Sequence, residues 1–113
     1  MAAAFKTLNL NTDFRRAYKR GKVFTNPALV SYVTKNRAGI CRIGITTSKK
    51  IGNAVERNRS RRVIRAAFRA VEPEVQGGWD IVFVARSKTK YLKSTQLEPV
   101  ILNHLKQAGV INR

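Results

Sequence analysis

The sequence has few acidic residues, little cysteine, histidine or proline, and no long apolar run. Its 113 residues include 6 Asp and Glu, one cysteine, one histidine and 3 prolines. No segment approaches the ~18 consecutive apolar residues of a membrane span, and the amino terminus lacks the apolar stretch of a signal peptide. We therefore expect a protein with neither a membrane span nor a signal peptide.

The single cysteine, Cys41, cannot form an internal disulfide, which favours a reducing, cytoplasmic compartment. Cys41 lies in an apolar, strand-like segment with no histidine or acidic residue nearby in the sequence. We predict that it is a small packing residue rather than a reactive thiol.

The shortage of histidine and acids argues against catalysis or metal binding by the protein alone. His104 is the only histidine, so four cysteine or histidine ligands for zinc cannot be assembled. Two-metal phosphodiester cleavage needs several carboxylates that converge on ions about 4 Å apart, whereas these acids are spread along the chain. The acids are Asp13, Glu56, Glu72, Glu74, Asp80 and Glu98. We predict no catalytic residue and no metal site in this chain.

Basic residues, in contrast, are abundant: 23 Lys and Arg give a formal net charge of +17 at pH 7. Because 43% of the residues are hydrophobic, the chain can bury a core and is not a basic tail. Such a charge on a small globule costs stability through self-repulsion unless a polyanion is nearby. The excess of basic over acidic residues indicates nucleic acid or an anionic membrane surface as the partner.

Periodicity and turn residues predict one α+β sandwich domain over residues 1–113, in the order α-β-β-β-α-β-α. The predicted helices are 12–20, 54–71 and 95–108, and the predicted strands are 23–25, 28–34, 40–47 and 79–85. Residues 11–13 offer a helix N-cap, and Gly21 offers a stop. The turn-forming residues 36–39 predict that strands 28–34 and 40–47 pair as a hairpin.

Alternation within these strands predicts two unlike sheet faces. Leu29 and Val33 lie on an aliphatic face, as do Ile43 and Ile45 of the next strand. We expect helices on that face and an open platform on the opposite, mixed face, which carries Tyr32.

The helix predicted at 54–71 begins with a capping box of Asn53 and Glu56 and has two distinct faces. Its apolar arc comprises Val63, Ile64, Ala67, Phe68 and Val71, and its basic arc comprises Asn58, Arg61, Arg62, Arg65 and Arg69. Glu56 is the only acid between Asp13 and Glu72. A helix face that is exposed to solvent without binding a ligand would more often carry alternating positive and negative side chains. The arc therefore predicts contact with RNA or DNA, since guanidinium groups grip phosphate in a bidentate manner.

Two further features allow more than one interpretation. The helix start at Asn53, beside Lys49 and Lys50, offers an anion site. Tyr32 either stacks on a base or simply covers the sheet, and Phe14 with Tyr18 is more often a core pair than a binding site.

The basic segment closely resembles the signature of the bacterial ribonuclease P protein subunit. The resemblance is specific over residues 48–55 (SKKIGNAV) and 57–59 (RNR), with Arg61, Arg62 and Arg65 following. It extends, less specifically, over residues 14–21, Tyr32, 42–44 and 81–86. The resemblance implies an α-β sandwich of the ribosomal protein S5 domain 2-like type, with a left-handed β-α-β crossover. The residues alone would have favoured a right-handed one.

The resemblance also implies a function: the protein joins a catalytic RNA, and the complex removes the 5′ leader of precursor tRNA with Mg²⁺ held mainly by the RNA subunit and the substrate. The residues expected to face the catalytic RNA are Lys49, Lys50, Asn53, Arg57, Asn58, Arg59, Arg61, Arg62, Arg65 and Arg69. Those expected to line a cleft for the leader are Phe14, Tyr18, Tyr32 and Arg42. The protein itself is expected to be monomeric.

Three other functions remain open at this point. A ribosomal or other structural RNA-binding protein would need the basic helix but no aromatic platform. A self-sufficient nuclease is disfavoured by the dispersed acids. A DNA-binding protein would need base-reading side chains besides arginine, and the helix offers only Asn58.

Overall fold

The computed structural model describes residues 5–111, which form one five-stranded sheet with three helices. In chain order the elements are β1 Phe5–Thr7, α1 Asn11–Arg20, β2 Lys22–Asn26, β3 Leu29–Lys35, β4 Cys41–Thr46, α2 Ala54–Val71, β5 Trp79–Ala85 and α3 Ser94–Gln107. Short 3-10 turns lie at Lys49–Ile51, Glu72–Glu74 and Thr89–Tyr91. The α+β prediction and the order from α1 to α3 are confirmed. Within residues 5–111, no helix combines the length and apolarity that crossing a membrane requires.

The sheet order is β1-β4-β5-β3-β2, so the predicted hairpin of strands 28–34 and 40–47 is wrong. β5 lies between β3, to which it is antiparallel, and β4, to which it is parallel. The reason is that β5 is apolar on both sides, with Ile81, Val82 and Phe83 all fully buried, and such a strand is most stable in the centre. The hairpin that does form joins β2 to β3.

Strand β1 was not predicted from the sequence. Its three residues pair in parallel with β4, Phe5 opposite Cys41. Three residues are too few for a periodicity signal, and Lys6 and Thr7 are exposed. The strand exists because β4 offers a free edge and because the Phe5 ring packs edge-on against Phe68, with the centroids 5.0 Å apart.

One face of the sheet, here called the α2 face, is covered by α2 and α3. Leu29, Ile43, Ile81 and Phe83 point into this layer, and Phe68 of α2 packs among them, all with at most 1% of their surface exposed. Cys41 is buried in the same core, and burial, followed by the negative charges of Asp80 and Glu72, raises its pKa to about 12. The predictions of a helix-covered aliphatic face and of an inert Cys41 are confirmed.

The opposite face, here called the α1 face, is not the fully open platform expected from the sequence. Helix α1 crosses it and buries Ala17 together with Leu8 and Val82. Ala17 is the only small apolar residue of α1 and faces the sheet, so the helix can approach the strands closely. Open surface remains on the two flanks of α1.

The helix ends were predicted with mixed success. Asn53 and Glu56 form both bonds of the capping box, at 2.9 and 3.1 Å, and α2 ends at Val71 as expected. Helix α1 ends at Arg20 and Gly21 is its C-cap, as predicted, but residues 11–13 do not cap its start: Leu10 is the N-cap and provides no side-chain bond. The reason is that the Asp13 carboxylate turns toward arginine side chains instead. The left-handed crossover of β4-α2-β5 stays a prediction.

Candidate nucleic-acid interface

Helix α2 presents an arginine face, defined as Asn58, Arg61, Arg62, Arg65 and Arg69. All five side chains are exposed, while Val63, Ile64, Ala67 and Phe68 anchor the other side of the helix in the core. Two shallow concavities of about 320 and 220 Å³ lie between the arginines along this face. The predicted partition of α2 into a packed side and a basic side is therefore confirmed.

No ion pair between residues 5 and 111 joins an acidic side chain to the arginine face. The ion pairs formed there involve Asp13, Asp80 and Glu56, none of which contacts this face. On this face, Arg61 Nη1 donates a hydrogen bond to the side-chain oxygen Oδ1 of Asn58 at 3.1 Å. A row of like charges at helical spacing is unfavourable by a few tenths of a kcal/mol per pair, so the folded chain gains nothing from it.

Arg57 and Arg59, predicted to belong to the same surface, are instead tied to neighbouring loops. Arg57 Nη1 donates to the Gly52 carbonyl at 3.0 Å, and Arg59 Nε donates to the Lys90 carbonyl at 2.8 Å. Each bond uses only part of the guanidinium group, which carries five N–H donors. Both arginines therefore keep donors for a ligand while their positions are fixed.

The expected anion site at the start of α2 is already filled by a side chain. The Glu56 carboxylate accepts a hydrogen bond from the backbone N–H of Asn53 and forms an ion pair with Lys90 Nζ at 2.9 Å. The hydrogen bond from Lys90, then that from Asn53, lowers the pKa of Glu56. The positive end of the helix is thus already paired with the Glu56 carboxylate, and the neighbouring Lys49 and Lys50 are exposed.

Lys90 is a residue of this region that the sequence did not single out. Besides Glu56 it bonds the Ile51 carbonyl, at 2.6 Å, so it fastens the loop after β5 to the start of α2. Because 34 residues separate Glu56 from Lys90, no local pattern announces this contact.

Phe14, Tyr18 and Tyr32 meet on the α1 face and are called the aromatic cluster. The rings of Tyr18 and Tyr32 pack edge to face with centroids 4.9 Å apart, and the Tyr18 hydroxyl lies 2.7 Å from Thr46 Oγ1. Phe14 lies directly on Gly44, where a Cβ atom would come within 2.6 Å of its ring. Tyr18 remains 40% exposed and the other two are half-buried, so the cluster offers ring surface to solvent.

Arg42, which was grouped with these aromatics, lies elsewhere on the same face. Its guanidinium forms two 2.8 Å bonds to the carboxylate of the buried Asp80 and approaches Asp13 at 3.8 Å. The hydrogen bonds that Arg42 donates to Asp80 are the main cause that raises the Arg42 pKa. The structure thus brings Phe14, Tyr18 and Tyr32 together but places Arg42 in a separate cleft, beside Asp13 and Arg16.

The acidic residues between positions 5 and 111 lie apart from one another or are paired with cations. Asp13, Glu56 and Asp80 are each paired with a cation, and no group of three potential metal ligands lies together between residues 5 and 111. The buried Ser31 hydroxyl contacts His104 Nδ1 at 2.8 Å, but both residues are at most 3% exposed and no substrate can reach them.

Comparison with known proteins assigns this architecture to one family. The Ribonuclease P family model matches residues 3–109. The ribonuclease P protein component of Clostridium botulinum (strain Loch Maree / Type A3) is 40% identical over 103 residues, covering 90% of this chain and 93% of that protein. The Clostridioides difficile (strain 630) protein of the same name is 41% identical over 106 residues, covering 93% of each.

Solved structures agree with the sequence comparison. The RNase P protein of Staphylococcus aureus matches with a TM-score of 0.81 at 34% identity, covering 99% of this chain and all of that one. The RNase P protein from Thermotoga maritima gives a TM-score of 0.78 at 31% identity, covering 89% and 96% of the two chains.

Proposed function

This chain belongs to the ribonuclease P protein family, which supports a role in tRNA processing, and from that premise we propose how it acts. The arginine face binds the catalytic RNA of ribonuclease P. The aromatic cluster binds the 5′ leader of precursor tRNA. The complex then removes that leader.

The observation that carries this proposal is the separation of the two surfaces by the sheet. Helix α2 lies on one face and the aromatic cluster on the other, so two RNA segments can be held at once without competing for one site. A single-stranded leader exposes the flat sides of its bases, and stacking on aromatic rings is sequence-tolerant. A purely structural RNA-binding protein would need the arginine face but not the partly exposed rings.

The protein's part in the reaction is binding and charge neutralisation. Phosphates of two RNA strands repel each other, and the guanidinium groups of the arginine face reduce that repulsion where the strands approach. We propose that the Mg²⁺ needed for cleavage is held mainly by the catalytic RNA and the substrate. Because Asp13, Asp80 and Glu56 are all engaged by cations, none of these three carboxylates is offered as a general base.

We place the protein in the cytoplasm as a monomer. The free Cys41 thiol suits a reducing compartment, and a net charge of +17 disfavours self-association in the absence of RNA.

The decisive experiment mixes the purified protein with its cognate catalytic RNA and precursor tRNA at low Mg²⁺. We expect cleavage at the mature 5′ end only when protein and RNA are both present. Cleavage by the protein without RNA would overturn the proposal, and absence of any stimulation would leave only the structural RNA-binding role.

A variant links that activity to the arginine face. Arg62→Gln with Arg65→Gln removes two side chains that have no ion-pair partner within residues 5–111. The slope of log K against log salt is negative, and each lost phosphate contact makes it shallower by about 0.7–0.9. Binding to the catalytic RNA should therefore weaken and depend less on salt. An unchanged slope would contradict the assignment of this face.

A further inference from the structure

Helix α1 divides its face of the sheet into two clefts, of which the aromatic cluster occupies only one. On the other flank lies a cleft of about 570 Å³, larger than either concavity of the arginine face. Its rim is formed by Arg16 and Arg20 of α1, Lys35 at the end of β3, and Arg37 in the following turn. These four side chains define what we call the α1 groove.

Helical geometry explains why the two flanks differ. Arg16 and Arg20 are four residues apart and project on one side of α1, whereas Phe14 and Tyr18, also four apart, project on the other. Ala17 lies between the two rows and faces the sheet with no exposed surface. One helix therefore presents rings to one cleft and guanidinium groups to the other.

The floor of the α1 groove is rigid and its own charge is balanced. Asp80, fully buried, accepts two bonds from Arg42 at 2.8 Å and one from Asn36 Nδ2 at 2.7 Å. Asp13, 7% exposed, lies 3.4 Å from Arg16 and 3.8 Å from Arg42. The two carboxylates are therefore used by two arginines beneath the opening.

The rim, in contrast, carries charge that nothing in the fold balances. Arg20, Lys35 and Arg37 are exposed and form no ion pair with any residue between 5 and 111. Lys35 lies 5.7 Å above the Trp79 ring, and past it a second hollow of about 290 Å³ continues the basic surface to Lys22. Repulsion among these cations weakens the fold, so an external anion is the natural counterpart.

We propose that the α1 groove binds the phosphate backbone of an RNA segment separate from the segment on the arginine face. The opening of the groove is lined by cations of three different elements, which suits a chain of phosphates rather than one ion. This inference rests on the proposed function only in taking RNA as the partner. The RNA is either the precursor tRNA or a second part of the catalytic RNA, and both offer the same phosphate chemistry.

The test uses the full-length double variant Arg20→Gln with Arg37→Gln. Its matched control is Lys93→Gln with Lys106→Gln, which removes the same charge from two exposed sites at the ends of α3. A second variant, Arg20→Lys with Arg37→Lys, keeps the charge and should retain the salt dependence. Thermal unfolding of each protein checks that the fold is unchanged.

Two binding measurements distinguish the source of the RNA. In the first, the cognate catalytic RNA is titrated with protein over a salt series. In the second, precursor and mature tRNA are titrated with the assembled holoenzyme. Loss of two phosphate contacts should make the negative slope of log K against log salt shallower by about 1.5 in one of these measurements. A decrease in the first identifies the catalytic RNA, and a decrease only in the second identifies the precursor tRNA.

The result that overturns the inference is a groove variant that matches the α3 control in both titrations. If Arg62→Gln with Arg65→Gln still weakens binding of the catalytic RNA, the proposed function stands and only the α1 groove is refuted. If that variant also has no effect, the proposed function fails as well.

Discussion

The two faces of the same sheet are built from alternate residues of the same strands, yet they have different chemistry. On the α2 face, Phe83 and Ile81 meet a continuous apolar layer. On the α1 face, their neighbours Val82 and Asp80 meet a small apolar patch and an ion-pair network. The α2 face is covered by this apolar layer, whereas the α1 face leaves rings and cations exposed. The two sides of one sheet thus differ in how completely their side chains are buried.

The largest expected effect is on the α2 face. Phe68→Ala removes a fully buried ring that contacts Phe5 and Phe83, and should lower the free energy of unfolding by about 3–5 kcal/mol in urea titration. Tyr18→Ala, at a site 40% exposed on the α1 face, should cost clearly less. Equal losses would mean that the two faces share the stabilising role.

The second-largest expected effect tests whether the ion pair of Asp80 with Arg42 on the α1 face stabilises the fold. Asp80→Asn leaves the Arg42 guanidinium without its buried partner. We expect a loss of about 3 kcal/mol in urea titration, at the lower end for a broken buried pair, because 25% of the Arg42 side chain is exposed. Glu56→Gln is the control, since it breaks the pair of Lys90 with Glu56, whose side chain is 38% exposed, while it keeps the capping box, and it should cost clearly less. A loss at Asp80 no larger than the control's would show the network to be dispensable.

A smaller effect concerns binding on the α1 face. Tyr32→Ala should weaken holoenzyme binding of precursor tRNA, relative to mature tRNA, by about 1–3 kcal/mol if a leader base stacks there. Tyr32→Phe should retain the affinity because it keeps the ring. Tyr91→Ala, at a tyrosine 74% exposed outside the cluster, serves as the control. Equal weakening for the two tRNAs would remove Tyr32 from the leader site.

The smallest effect is a pH dependence that belongs to the α2 face. Burial lowers the pKa of His104 below its ordinary value of 6.5, so the folded chain resists a proton that the unfolded chain accepts. The free energy of unfolding should therefore fall as the pH drops below about 6.5, by at most about 1.4 kcal/mol per pH unit for one group.

Denaturant titration between pH 5 and 7 measures this slope, and His104→Gln should flatten it. His104 is the only histidine, so few other groups titrate in this range. A slope that persists in the variant would assign the effect to another group.

What the sequence determined by itself was the local structure and the chemistry of α2. The Asn53–Glu56 cap and the division of α2 into an apolar and a basic side depend on neighbours within one or two turns, and both were predicted correctly. The basic excess likewise indicated a polyanionic partner, either nucleic acid or an anionic membrane surface, because net charge is additive and needs no fold.

The tertiary structure decided what depends on distant pairs. It inserted β5 between β3 and β4, because a strand apolar on both sides is best buried centrally. It moved Arg42 away from the aromatic cluster, because Asp80, 38 residues later, offered a buried carboxylate. It also gathered Arg16, Arg20, Lys35 and Arg37 around one cleft, although they belong to separate segments. Such contacts form only when the sheet is complete, and no period or spacing in the chain records them.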